Sequence, residues 1–236
     1  MKALKKNTSL NSKGNALFLI LIAVALFAAL SYALTQSGRG GGSTDKETET
    51  LDAARLVQYA GAVERGIQRM RILNGTQDTD ISFHDNGWGF TGYQHGSPQP
   101  DENRVFQTDG GGVTWQDFSD VGILKYNGVN SVNGVGACDD NSSSACKDLM
   151  MVVILSSESM CQQINKSLFG NTAYVSEDFT TGTTSPSNTI FNGTYGTSTA
   201  DSTALIDASL NGVRTACVQD SGTATKFIFY HVLLAR

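Results

Sequence analysis

From Ala16 to Leu34 the chain runs nineteen residues without a charge, interrupted only by Ser31 and Tyr32, and Lys2, Lys5, Lys6 and Lys13 precede the run. As an α-helix this run spans roughly 28 Å at about 1.5 Å per residue, close to the ~30 Å hydrocarbon core of a bilayer. The spacing predicts a transmembrane helix over residues 15–37, with the lysines cytoplasmic and everything after Leu34 translocated. Three readings of the segment stay open. Ser31-Tyr32-Ala33 offers small residues at the two positions a signal peptidase reads, which would release a soluble protein. A plain uncleaved anchor needs nothing more than the apolar run. The third reading rests on Ser12-Lys13-Gly14-Asn15, where a basic residue and a glycine stand directly before the run.

Beyond Leu34 the chain divides by composition. Ser37 to Ser43 places four glycines in the five positions 38–42, too much backbone freedom to continue a stable helix, and reads as a hinge over 38–44. Past the hinge Ala53, Val57, Ala60, Val63, Ile67 and Met70 recur every three or four residues, the signature of an amphipathic helix over 45–74. Its acids, Asp45, Glu47 and Glu49, come first and Arg65, Arg69 and Arg71 last, matching the helix dipole, and Asn74-Gly75 supplies a stop. Residues 75–236 are rich in Gly, Ser, Thr and Asn, with short apolar stretches between turn signals, and predict a β-rich head. Val113 to Trp115, Gly122 to Tyr126 and Leu149 to Leu155 read as strands. Ser156 or Ser157 caps a short helix ending at Gly170, and Lys226 to Leu234 is apolar enough for a central, buried strand. The uncharged tract from Phe179 to Ala200 reads as an exposed loop or edge region. The fold class expected is α+β: a transmembrane helix, an amphipathic helix and a β-rich head.

The arrangement at Lys13-Gly14-Asn15, with the apolar run behind it, resembles the leader of type IV prepilins and pseudopilins. The resemblance implies a leader over 1–14 and cleavage between Gly14 and Asn15 by a prepilin peptidase. It further implies a filament-core helix over 15–37, an exported pilin-like head, and partners in the bacterial inner membrane and in other pilin-like subunits that meet this one through the N-terminal helix. Asn15 and Leu19 stand where major pilins carry an aromatic residue or Met and a Glu, so the resemblance points to a minor subunit of a pilus or of a type II secretion-like filament. Val152 to Leu155, followed by the Ser-capped helix carrying Cys161, looks like the later half of some type IVb pilin heads, where a disulfide ties such a helix to a later strand.

Cys138, Cys146, Cys161 and Cys217 are even in number and lie in the exported part, which suits two disulfides with three possible connectivities. The resemblance favours Cys161 with Cys217, leaving Cys138 with Cys146 around a small polar loop. No Cys-x-x-Cys spacing and no histidine close in sequence support zinc. Asp139, Asp140, Asn141 and Asp148 gather oxygen ligands that can hold calcium, as in certain pseudopilin heads, but the spacing fits no EF-hand and a solvated loop is the simpler expectation. His84 beside Asp85 and His95 near Glu102 sit in polar loops where solvent exposure is expected; His231, inside an apolar strand, reads as a core histidine with a satisfied ring. The aromatics from Trp88 to Trp115 can form a stacking surface for glycan or single-stranded nucleic acid, or fill a core beneath long loops. Asn74, Asn141, Asn165 and Asn192 each begin a glycan-acceptor triplet.

With 17% charged residues, a formal net charge of -5 and dispersed basic residues, no footprint for nucleic acid is visible. No nucleophile elbow, phosphate-binding loop, dinucleotide fingerprint or paired-histidine zinc motif occurs, so neither a catalytic residue nor a cofactor is expected. The reading is a structural filament subunit; the alternative is an exported or anchored ligand-binding module, for instance for glycan.

Overall fold

The computed structural model describes residues 13–37, 41–84, 92–136, 147–177, 190–196, 203–223 and 225–236. The chain divides into two compact units, Met1–Thr48 and Glu49–Arg236. The first contains helix α1 (Lys13–Ser37) and the opening turns of α2 (Gly41–Leu73). Helix α2 thus begins inside the stretch expected to be a hinge, since a helix already nucleated downstream extends into glycines at a cost of only about 1 kcal/mol each.

The expected transmembrane helix requires correction. Among the described residues no helix is long and apolar enough to cross a membrane. The α+β class stands, with three helices and a mixed sheet among the described residues.

In the second unit, strands β1 (Gly122–Asn127), β3 (Leu149–Leu155), β7 (Phe227–Leu234), β6 (Thr215–Asp220) and β4 (Ser176–Glu177) form one sheet in the order β1-β3-β7-β6-β4. All neighbours are antiparallel except β4 with β6. A small parallel pair, β2 (Asn130–Val132) with β5 (Thr203–Leu205), lies apart from it in the pairing.

Alternation along the central strands explains the continuous apolar runs in the sequence. Met151, Val153, Cys217, Phe227 and Phe229 enter one core with Leu56, Val63 and Ile67 of α2 and Ile164 of the third helix, α3 (Glu158–Phe169). Met150, Val152, Val218, Ile228 and Tyr230 enter a second core with Val132 of β2 and Leu205 of β5. A strand covered on both faces has no solvent side to mark with polar residues, which is why every position of β7 is buried.

Helix α2 buries Ala53, Leu56, Tyr59, Ala60, Val63, Ile67 and Met70, a stripe at spacings of three and four. The expected stripe is shifted by one position at Val57, which is only partly buried while Leu56 takes its place. Val113 to Trp115 is not a strand. The Val113 N–H donates to Val105 O at 3.1 Å, and the segment folds onto α2 at Gly66, where a Cβ would lie 2.5 Å from Val113 Cγ2 and 3.2 Å from Gly111 O. Only a glycine allows that approach.

Helix α3 follows its sequence signals. Ser157 Oγ accepts from Met160 N at its start, and Gly170, at φ 75°, ends it in the left-handed region with its N–H on Lys166 O. The described part of the uncharged tract departs from expectation: Phe191 and Tyr195 are buried, and the Phe191 N–H donates to Tyr126 O at 2.8 Å. With Tyr93 Oη accepting from Tyr126 N at 2.9 Å and Phe118 O from Gly122 N at 2.8 Å, loops cover the outer edge of β1.

Candidate interaction surface and buried polar network

Helix α1 has no polar face. Phe18, Leu19, Ile20, Leu21 and Ile22 are consecutive, so at about 100° per residue they sweep the full circumference, and all are exposed, as are Val24, Leu26, Phe27 and Leu30. Exposure runs from 40% at Ile22 to 73% at Phe27, so no side of the helix is sheltered by its own unit. Covering each large side chain is worth about 1.5–3 kcal/mol, which makes this the largest unsatisfied apolar surface among the described residues. Gly14 and Asn15, the expected processing site, fall in its first turn.

Of the four cysteines, Cys161 on α3 and Cys217 on β6 are bonded to each other, with Cα atoms 5.4 Å apart. Asn165, one turn along α3, reinforces the same junction: its Oδ1 accepts from Cys217 N at 2.9 Å and its Nδ2 donates to Cys217 O at 2.9 Å and to Ala173 O at 2.8 Å. That amide is buried and fully used, which removes Asn165 from the glycan acceptors in the folded chain. Cys138 and Cys146 lie outside the described residues, as do Asp139, Asp140 and Asn141.

Asp148 is described, and it is occupied with backbone. Its Oδ2 accepts from Val132 N and its Oδ1 from Arg236 N, each at 3.1 Å, joining β2 to the end of the chain. Burial pushes its carboxyl up to about 6, outweighing those two N–H donors and the more distant Arg214 and Lys147 charges. Among the described residues no group of three or more His, Cys, Asp or Glu side chains is placed to hold a metal ion.

Of the aromatics expected either to stack a ligand or to fill a core, Tyr93 and Phe106 do the latter, while Trp115 is partly buried outside both cores. Tyr93 and the partly buried Phe106 close on Phe83, which stacks on Tyr126 at 3.9 Å between ring centroids, with Phe191 edge-on at 6.2 Å. Trp88 and Phe90 lie outside the described residues.

The histidines are less exposed than their polar surroundings suggest. His95 is half-buried, its Nε2 is 3.0 Å from Ile81 O, and desolvation lowers its pKa against the pull of that carbonyl and of Asp80. His84 and His95 line a cavity of about 280 Å³ with Ser82, Gln99 and Arg104. Asp85 lies outside the described residues. A larger open groove of about 860 Å³ follows α2 past Leu51, Val57, Arg65 and Arg69 to Gly111.

His231 is the core histidine its strand implies, and its partners come from far along the chain. Nε2 lies 3.0 Å from Glu64 Oε2 on α2, and Nδ1 lies 2.5 Å from Thr215 Oγ1 on β6. Arg214 Nη2 donates to Glu64 Oε1 at 2.8 Å and to Val232 O at 3.0 Å, and Gln68 adds a bond to Glu64 Oε1 at 3.3 Å. The imidazole is 11% exposed and the carboxylate 19%, whereas the Arg214 side chain is 46% exposed, so the ring is shielded and the network opens to water at Arg214. Sequence reasoning identified the histidine but not Glu64 or Arg214, because 167 and 17 residues separate them from it. The one signal was that a buried imidazole needs a polar partner.

Compared with protein-family models, with curated proteins and with solved structures, the chain matches none of them.

Proposed function

We propose that this chain is a minor pilin or pseudopilin, a structural subunit of a type IV pilus or type II secretion-like filament, whose α1 packs against the N-terminal helices of other pilin-like subunits. The observation that carries this reading is the exposed, faceless apolar surface of α1. A helix apolar all round is stable in water only when enclosed, and a bundle of similar helices encloses it from every side without selecting a face. The Cys161–Cys217 disulfide supports a head that works in an oxidising compartment outside the cytoplasm. Lys13-Gly14-Asn15 supports processing by the prepilin peptidase of the inner membrane, and Leu19 in place of Glu supports a minor position in the filament. The test is the amino-terminal sequence of the mature protein recovered from its native cells. A start at Asn15 is expected; a start near Leu34, or an intact Met1, would overturn the reading.

A further inference from the structure

We propose that Glu64, Arg214, Thr215 and His231 form an acid-released latch that fixes the middle of α2 against strands β6 and β7. The latch does not depend on the filament reading. The atoms define one proton arrangement in which every group is satisfied. The neutral ring donates Nε2–H to Glu64 Oε2 and accepts the Thr215 hydroxyl proton at Nδ1, while Arg214 holds the other carboxylate oxygen. A second proton on the ring makes Nδ1 a donor to Thr215 Oγ1 across 2.5 Å, so the hydroxyl changes from donor to acceptor and its own proton has to turn away to another partner. It also places a second cation on a carboxylate that already carries Arg214, and puts that charge on a ring only 11% exposed.

The charged groups facing the ring are Glu64 from α2 and Arg214 from the residue before β6; the register partner on β3 is Met151, which carries no charge. Desolvation lowers the imidazole pKa below its ordinary value, Arg214 adds to that, and Glu64 opposes both. The folded chain therefore binds fewer protons than the unfolded chain just below pH 6.5. The contribution of the latch is complete above that pH and falls as the medium acidifies. The consequence is local, since Glu64 is the side chain through which α2 reaches both Arg214 and His231.

The experiment follows His231 by NMR titration in the full-length protein, together with hydrogen exchange of the α2 amides from Tyr59 to Met70, corrected for intrinsic exchange, between pH 7.5 and 5. The expected result is a His231 titration below 6.5. Opening of α2 should grow by up to about tenfold per pH unit through the window between folded and unfolded pKa. In His231→Gln, whose amide keeps a donor for Glu64, that growth should disappear. A His231 titration at or above 6.5, or the same pH dependence in His231→Gln, would overturn the proposal. If the variant does not fold, the titration of the unaltered protein decides alone.

Discussion

Asp148 shows how one buried side chain can be structurally required and electrostatically costly at once. Its two oxygens hold the backbone of Val132 and Arg236, yet burial raises its pKa to about 6. An unfolded chain releases this proton near the ordinary carboxylate value of about 3.9, so between roughly pH 4 and 6 the folded state binds more protons. Stability from this group is therefore present below about pH 4 and lost as pH rises through 6, by about 3 kcal/mol for a shift of about two units. Measured as the difference in unfolding free energy between the unaltered protein and Asp148→Asn, which cancels the opposite-signed contribution of His231, the protein should lose that amount relative to the variant between pH 4 and 6.5. A difference that is flat or rises over this range would mean that the two N–H donors hold the carboxylate ionised.

At the scale of elements, the parts legible in the sequence are those whose signals are local. The α2 stripe, the Ser157 cap and Gly170 stop of α3, and the apolar runs of β3 and β7 each depend on neighbours within a few residues. What was not legible depends on a partner elsewhere: the polar tract whose Phe191 and Tyr195 are buried, and the segment Val113 to Trp115, whose β-prone residues fold onto α2. Two glycines of α2 separate these effects. At Gly61 a Cβ would meet only Arg65 Nη1 at 3.3 Å, the end of a flexible side chain, whereas at Gly66 it would meet Val113 and the Gly111 carbonyl. Gly61→Ala should stabilise the protein by about 0.5–1 kcal/mol through helix propensity alone. Gly66→Ala gains the same propensity but must displace the 111–113 segment, for a net loss of about 1–2 kcal/mol. Urea midpoints of the two variants should move in opposite directions, and a shared upward shift would show that the loop yields freely.

At the scale of the whole molecule, the second unit is organised around a junction that neither periodicity nor propensity specifies. Helix α3 is held to β6 by the Cys161–Cys217 bond and by the Asn165 amide, which treats Cys217 as a neighbouring strand would, accepting from its N–H and donating to its C=O. The cysteine pairing was legible only through the resemblance to pilin heads, and Asn165, in a glycan-acceptor triplet, gave no sign of its structural part. The candidate surface on α1 was legible as an apolar run, but its expected role as a spanning helix was not supported, since hydropathy records that a segment avoids water and not what encloses it. In the junction, the disulfide closes a sequence separation of 56 residues, for which loop-closure entropy gives about 4 kcal/mol. The double replacement Cys161→Ser and Cys217→Ser should lower the unfolding free energy by about that amount while the Asn165 bonds keep α3 in register. The test is urea unfolding of the variant beside the unaltered protein, with the environment of α3 monitored by NMR of Asn165. A loss well below 1 kcal/mol would show that the amide and the apolar contacts of Met160 and Ile164 hold the junction by themselves, whereas a variant without native α3 signals would show that the covalent bond comes first and the hydrogen bonds depend on it.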